Sequence, residues 1–224
     1  MIPLRDVIPS RTTPYVTISL VVINSLVFIY EFLLGPWVRE FTYEFGLVPA
    51  YFSWRSVITS MFLHGGFLHV AGNMLYLWIF GDNVEDRMGH GRFIVFYLLC
   101  GIAAALAQAY TVPDSTVPMV GASGAIAGVM GAYFILYPHS RIVTLVTLLF
   151  FWQIMEIPAI FFLGIWFLMQ FLSGVGSLTA ATSGPAGGIA FWAHIAGFLA
   201  GVSGVWVFRR PERQRVEWWN DLAD

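Results

Sequence analysis

The chain has 224 residues, of which 58% are hydrophobic and 11% are charged, whereas a typical soluble domain carries about 25% charged residues. A net charge of −2 excludes a strongly basic nucleic-acid-binding surface, and the single cysteine, Cys100, excludes an internal disulfide framework. The apolar residues suffice for about six membrane spans of roughly 20 residues each, so we expect a polytopic membrane protein.

Charged or Gly/Pro-rich segments divide the apolar sequence into six predicted spans, and the predicted fold class is an all-α, six-helix membrane bundle. The approximate ranges of the spans are 15–34, 57 or 67–80, 93–110, 121–137, 159–172 and 187–208. Residues 1–14 are predicted to form a cytoplasmic segment, residues 15–208 one membrane domain and residues 209–224 a cytoplasmic tail. The first apolar stretch is longer than the core of a signal peptide, so we expect a retained anchor.

The stretch from Ile142 to Ser173 is too long for one span and too short for two, and Glu156 and Pro158 interrupt it. We predict that Ile142–Ile157 forms a loop lying along the membrane and that Ala159–Leu172 forms the fifth span. With this division the chain crosses the membrane six times, and both termini lie on the same side.

The chain contains 11 arginines and no lysine. The arginines are distributed unevenly between the two sides of the six predicted spans. Arg39 and Arg55 fall on one side, and the other nine arginines fall on the side of the termini. The positive-inside rule makes the arginine-rich side cytoplasmic. Because no transit-like segment precedes the first span, we expect a plasma (inner) membrane location.

Polar side chains within or beside apolar spans are costly and therefore indicate function. The candidates are His64, His69, Asn73, Ser123 and His194. In the six-span arrangement, spans two, four and six all enter from the outer side, and their polar residues lie early in each span. Three segments thus place polar groups at a similar depth, which favours a single site that opens outward.

Ser123 alone is best explained as a hydroxyl bonded to a helix carbonyl one turn back. The flanking glycines in Gly121-Ala122-Ser123-Gly124 change this interpretation, because they let a peptide backbone approach a helix start that offers free amide hydrogens. Ser123 is therefore a candidate nucleophile, and its own backbone amide is a candidate oxyanion donor.

His194 is either a buried histidine bonded to a neighbouring helix or a general base. Gly197 and Gly201 follow it on a small-residue face of the kind that permits close helix contact. The fourth span offers Gly124, Gly128 and Gly131 for the same purpose. If these faces meet, Ser123 and His194 come within hydrogen-bonding distance, as a serine nucleophile requires.

His69 and Asn73 are four residues apart and project from one helix face, so they form a pair. His64 lies about 140° away around the helix and is expected to have a structural bond or a position at the rim of the site. A zinc site would need three ligands, and His64, His69 and His194 could supply them. The His-Glu-x-x-His spacing of metalloproteases and a nearby carboxylate are both absent from the sequence, so we expect no metal and no cofactor.

Three motifs in this order resemble the rhomboid family of intramembrane serine proteases. They are Phe62-Leu63-His64-Gly65-Gly66-Phe67-Leu68-His69 with Asn73, Gly121-Ala122-Ser123-Gly124, and Ala193-His194-Ile195-Ala196-Gly197. The resemblance implies a dyad in which Ser123 is the nucleophile and His194 the general base and acid. It also implies an oxyanion hole formed by His69, Asn73 and the Ser123 backbone amide.

Two further matches and one departure accompany this resemblance. Trp54-Arg55 is similar to the first-loop motif of the family, although its spacing to Thr59 is one residue longer, and Glu85 with Arg87 is similar to a structural Glu-x-Arg motif. Relatives often carry an aromatic residue four positions after the serine, stacked on the histidine, where this chain has Ala127. The resemblance therefore does not say how the His194 ring is oriented.

The resemblance implies an endopeptidase that cleaves peptide bonds in or next to transmembrane segments of single-span or polytopic membrane proteins in a lipid bilayer. A proteolytically inactive rhomboid-like protein that binds membrane clients is the alternative, and the presence of both Ser123 and His194 argues against it. A small-solute channel is a third possibility, but the polar groups cluster on one side of the membrane and do not line a path through it.

Overall fold

The computed structural model describes residues 1–148, 151–180 and 190–211. Within these ranges the chain is mostly helical, with eight α-helices and one three-stranded antiparallel sheet. The helices are α1 Tyr15–Leu33, α2 Val38–Phe45, α3 Trp54–Thr59, α4 Phe67–Met88, α5 His90–Thr111, α6 Ser123–Leu136, α7 Ala159–Ala180 and α8 Phe191–Phe208. Each predicted span thus overlaps one helix of 14 residues or more, and the short helices α2 and α3 lie between α1 and α4.

Four of these helices are long and apolar enough to cross a membrane, namely α1, α5, α7 and α8. Helix α6 is apolar but has only 14 residues. Helix α4 has 22 residues, and its last two turns carry Asp82, Glu85, Asp86 and Arg87. Length and composition therefore establish a membrane protein with four candidate spans among the described residues, and the count of six stays a prediction.

The expectation of an all-α fold is wrong for the segment 141–158 and for the amino terminus. Strands β1 (Ile2–Asp6), β2 (Arg141–Leu148) and β3 (Phe151–Pro158) form an antiparallel sheet in the order β1-β2-β3. The predicted membrane-hugging loop at Ile142–Ile157 is thus a hairpin. Its first strand is rich in Val, Ile and Thr, residues that favour strands over helices.

The helices on either side of the last connection also differ from their predicted bounds. Helix α7 begins at Ala159 as expected but continues to Ala180, eight residues beyond the predicted end of the fifth span. Helix α8, which corresponds to the sixth predicted span, begins at Phe191, and the predicted start of that span, at 187–189, lies outside the described residues. Of the predicted cytoplasmic tail, the structure describes residues 209–211, and 212–224 lie outside the described ranges.

Helices α6 and α8 pack against each other through glycines. A Cβ atom on Gly197 would lie 2.0 Å from the carbonyl oxygen of Gly124, and one on Gly131 would lie 2.2 Å from that of Phe198. Real Cβ contacts are never this short, so the two backbones approach as closely as helices can. Ser123 at the start of α6 and His194 near the start of α8 are thereby brought to the same end of the helix pair.

The carboxyl-terminal ends of α4 and α8, away from Ser123 and His194, are held by hydrogen bonds to each other and to α1. Glu85 is buried and accepts hydrogen bonds from the Val16 and Thr17 amides at 2.9 and 2.8 Å, which satisfies donors that the first turn of α1 leaves free. The Arg210 amide donates to the Arg87 carbonyl at 2.9 Å. Glu85 therefore has the structural function that the resemblance implies.

The amino-terminal strand is attached through Asp6. Its carboxylate accepts hydrogen bonds from the Tyr133 hydroxyl at 2.7 Å and from Asn83 Nδ2 at 3.0 Å, so it contacts α6 and α4. Burial raises the pKa of the Asp6 carboxyl from 3.8 to about 6. This group is thus a titratable contact between the sheet and the helices.

Candidate active site

Ser123 begins α6 directly after a turn that only glycine can form easily. Gly121 has a φ of +128°, and a Cβ atom there would lie 2.8 Å from His69 Nε2. The Gly121 amide donates to the Ser60 carbonyl at 2.8 Å, which fixes the turn. Because Ser123 is the first residue of a helix, its amide has no acceptor within the helix.

His194 lies in the first turn of α8 and is hydrogen-bonded through both ring nitrogens. Its Nε2 lies 2.8 Å from Ser123 Oγ. Its Nδ1 lies 2.8 Å from Oε1 of Gln170, a residue of α7. The contact expected between Ser123 and His194 is therefore present, and a third side chain extends it to another helix.

His69 and Asn73 project from the first turns of α4 toward the same place. His69 Nδ1 accepts a hydrogen bond from the Gly65 amide at 3.4 Å, so in the neutral ring the proton lies on Nε2. Asn73 is buried, and its Nδ2 has no hydrogen-bond partner. An orphaned buried donor is rare in proteins and is satisfied when a ligand acceptor binds.

These side chains surround a cavity of about 280 Å³ between α4, α6, α7 and α8. It is lined by Leu68, His69, Gly72, Asn73, Tyr76, Ser123, Ile126, Met130, Trp166 and His194. The walls are mostly apolar, and the polar groups of Ser123, His194, His69 and Asn73 converge within them. A hydroxyl beside an imidazole, with two further donors nearby, is the arrangement required for acyl transfer.

His64 does not contribute a polar group to this cavity. It is 4% exposed, its ring packs edge-on against His69 at a centroid distance of 5.2 Å, and neither of its ring nitrogens has a hydrogen-bond partner. Its backbone amide donates to the Glu31 carboxylate at 3.1 Å, but this bond belongs to the backbone and not to the histidine side chain. Across the described residues, no group of three or more His, Cys, Asp or Glu side chains is arranged to hold a metal ion.

The sequence reasoning missed Gln170 and Trp166, which both lie on α7. The Trp166 ring lies 5.9 Å from the His194 ring with 37° between their planes, so it supplies the aromatic contact that Ala127 cannot provide. Gln170 carries the only side-chain amide in the apolar stretch from Ala159 to Ala180, and the criterion applied to Asn73 could have identified it.

The first-loop residues hold the segments before α4 together. Arg55 Nη2 donates to the Glu44 carbonyl at 3.0 Å, and its guanidinium lies over the Phe45 ring at 5.0 Å. The Thr59 hydroxyl donates to the Phe45 carbonyl at 2.6 Å. Trp54 is 69% exposed, so the first-loop motif supports local structure and does not reach the cavity.

Comparison with known proteins identifies one family. The sequence model of the Rhomboid domain matches residues 51–211, which include all three motifs and the cavity. The chain is 32% identical over 165 residues to "Rhomboid protein 1, mitochondrial" of Saccharomyces cerevisiae, covering 71% of this chain and 44% of that protein. It is 43% identical over 79 residues to "Rhomboid protease GluP" of Bacillus subtilis, covering 35% of this chain and 15% of that protein.

A relative whose name states that it is inactive is also similar. "Inactive rhomboid protein 1" of Drosophila melanogaster is 27% identical over 122 residues, covering 54% of this chain and 8% of that protein. The chain therefore spans less than half the length of each of these three relatives.

Proposed function

The chain belongs to the rhomboid family, and from this premise we propose that it is an intramembrane serine endopeptidase. It would cleave peptide bonds in or next to transmembrane segments of other membrane proteins. The observation that carries the proposal is the 2.8 Å contact between Ser123 Oγ and His194 Nε2. The contact faces a cavity with hydrogen-bond donors beside it and with a mostly apolar lining that suits a transmembrane segment.

In the proposed reaction, Ser123 Oγ attacks the carbonyl carbon of the scissile peptide while its proton passes to His194 Nε2. The carbonyl π electrons move to the oxygen and form a tetrahedral oxyanion. Collapse of this intermediate breaks the carbon–nitrogen bond, and the leaving amine takes the proton from His194. Water then attacks the resulting ester by the same steps and releases Ser123.

The oxyanion would be held by three donors. These are Asn73 Nδ2, which is buried and has no partner, His69 Nε2–H, and the Ser123 amide at the positive end of α6. Donors fixed in advance in an apolar site stabilise developing charge without reorganising, which makes this the largest expected contribution to the rate. All three would be ready before substrate arrives.

We place this site in a six-span domain that includes α1, α4, α5, α6, α7 and α8, with both termini in the cytoplasm of a cell bounded by a plasma (inner) membrane. The arginine bias supports the orientation. The sheet and the charged end of α4 would then lie on the cytoplasmic side. The helix starts that carry Ser123 and His194 would lie toward the outer side, where the cavity opens.

The alternative is a proteolytically inactive rhomboid protein that binds membrane clients. A cleavage assay separates the two functions: purified wild-type protein and Ser123→Ala are incubated with a model transmembrane substrate in lipid vesicles. We expect cleavage by the wild type and none by Ser123→Ala. Equal cleavage by both would exclude the serine mechanism. Absence of cleavage by both, with substrate still retained by the protein, would favour the client-binding function.

A further inference from the structure

We propose that Gln170 is a positioning residue for His194. The side-chain carbonyl of Gln170 holds the His194 imidazole in the tautomer that presents an unprotonated Nε2 to Ser123. The consequence for catalysis rests on the proposed protease function. The hydrogen bond and the tautomer do not depend on that function, because both can be measured in a variant that has no activity.

The argument begins with the two hydrogen bonds of His194. An amide oxygen only accepts hydrogen bonds, so Gln170 Oε1 at 2.8 Å from Nδ1 requires the proton on Nδ1. In the neutral ring this leaves Nε2 as an acceptor, 2.8 Å from Ser123 Oγ. The opposite tautomer would place the Nδ1 lone pair against the amide oxygen and would leave Ser123 without a base.

Trp166 strengthens the constraint from the same helix. It precedes Gln170 by four residues, so both side chains project from one face of α7. The Trp166 ring lies against the His194 ring, whereas the methyl group of Ala127 is too small to stack on it. Gln170 fixes the tautomer and the edge of the ring, and Trp166 limits rotation of its plane.

A neutral amide suits this position better than the carboxylate of a Ser-His-Asp triad. A carboxylate inside a membrane protein loses its hydration, which destabilises the folded protein unless other groups compensate. Gln170 supplies the acceptor geometry without a buried charge, although it stabilises the imidazolium less. The effect of its removal should therefore be smaller than the roughly 10⁴-fold loss that follows replacement of a triad aspartate.

The first test measures the tautomer by ¹⁵N NMR of histidine-labelled protein in the inactive Ser123→Ala background, with His194 assigned by loss of its signals in His194→Ala. We expect a protonated Nδ1 and an unprotonated Nε2 when Gln170 is present. Gln170→Leu should abolish this preference, and Gln170→Glu, which keeps an acceptor oxygen, should retain it. A proton on Nε2 in the presence of Gln170 would overturn the proposal.

The second test measures the rate at which an activated phosphonate labels Ser123, together with kcat and KM for cleavage. Gln170→Leu should slow labelling and kcat by about 10- to 100-fold with KM within about twofold of wild type, and Gln170→Glu should recover most of the rate. Met169→Leu is the matched control, because Met169 is the neighbouring residue and is 60% exposed. It should match wild type.

The outcomes separate positioning from structure and from failure of the proposed function. Labelling of Gln170→Leu at the wild-type rate would contradict the proposal, as would equal losses in the Leu and Glu variants with a lowered melting temperature. If wild-type protein neither reacts with the probe nor cleaves substrate, the proposed function fails, and the NMR measurement still decides whether Gln170 sets the tautomer.

Discussion

Gly201 of α8 lies so close to Gly128 of α6 that a Cβ atom on Gly201 would be 1.9 Å from the Gly128 carbonyl oxygen. The neighbouring atoms are backbone, so they cannot rotate away as a side chain would. Helices α6 and α8 can therefore lie this close together only because Gly201 has no side chain. The distance between Ser123 and His194, which lie near the starts of the same two helices, depends on this close packing.

We expect Gly201→Ala to force α6 and α8 apart and to destabilise the protein by about 1–3 kcal/mol or more, because overpacking a rigid contact costs this much. Cleavage should fall with the lowered melting temperature, since Ser123 and His194 are separated. Gly164→Ala on α7 is the control. Nothing lies within 4 Å of its added Cβ atom, so it should be neutral or slightly stabilising. Wild-type melting and cleavage in Gly201→Ala would contradict the packing argument.

Ser123→Ala and His194→Ala should each abolish cleavage and phosphonate labelling without changing the melting temperature by more than a few degrees. Residues that act as one catalytic unit are not additive, so the double variant should be no worse than either single variant. The check is cleavage of a transmembrane substrate at high enzyme concentration. Residual turnover that differs between the single variants and falls further in the double variant would show independent roles.

Asn73→Ala should slow cleavage by about 10²- to 10³-fold, as removal of one oxyanion donor does elsewhere. Ser123 should still be labelled by the phosphonate to completion, but more slowly, because His194 remains as the base. Asn24→Ala is a matched control. Asn24 is also a buried asparagine, but its side chain bonds the Leu20 carbonyl within α1, away from the cavity. If both variants lose cleavage in proportion to their melting temperatures, Asn73 has a structural role.

The position of the site could be predicted from the sequence, because an intramembrane polar group is costly and its presence needs an explanation. His69, Asn73, Ser123 and His194 all satisfy that criterion, and all line one cavity. Gln170 satisfies it equally but offers no nucleophile, base or charge. Its importance becomes apparent only when α7 is seen beside α8.

The sheet could not be predicted for a different reason. Strand β2 has the composition of a strand, but an apolar segment between membrane spans has the same residues whether it lies along a bilayer or pairs in a hairpin. Its partner β1 lies more than 130 residues earlier in the sequence, with Ile2 opposite Leu145. A contact between such distant segments leaves no periodic pattern in either of them.

The stability of the fold should depend on pH through Asp6. Its pKa is raised from 3.8 to about 6, so between these values the folded protein holds a proton that the unfolded chain releases. Stability should therefore fall as pH rises from about 4 to about 6 and then level off. The melting temperature of Asp6→Asn relative to wild type should increase over the same interval. A difference in melting temperature that stays constant between pH 4 and pH 6 would contradict this role of Asp6.

The proposed topology can be tested with a membrane-impermeant maleimide applied to intact cells. Cysteine introduced at Arg39, which lies between α1 and α4, should be labelled from outside, and cysteine introduced at Arg141 should react only after lysis. Both positions are exposed. The wild type is the control, because Cys100 is 2% exposed and should not react. Labelling of both positions from the same side would contradict the six-span arrangement.

Pairing of β1 with β2 also sets an order for biosynthesis. Ile2 leaves the ribosome before Leu145 and cannot meet it until the 143 residues that separate them in sequence have been translated. At rates of about 5–20 residues per second, this delay lasts roughly seven to thirty seconds. Throughout it the leading strand has no partner, and Asp6 has not met Tyr133. Closure of the sheet is thus a late event on the ribosome, after the first helices have been delivered to the membrane.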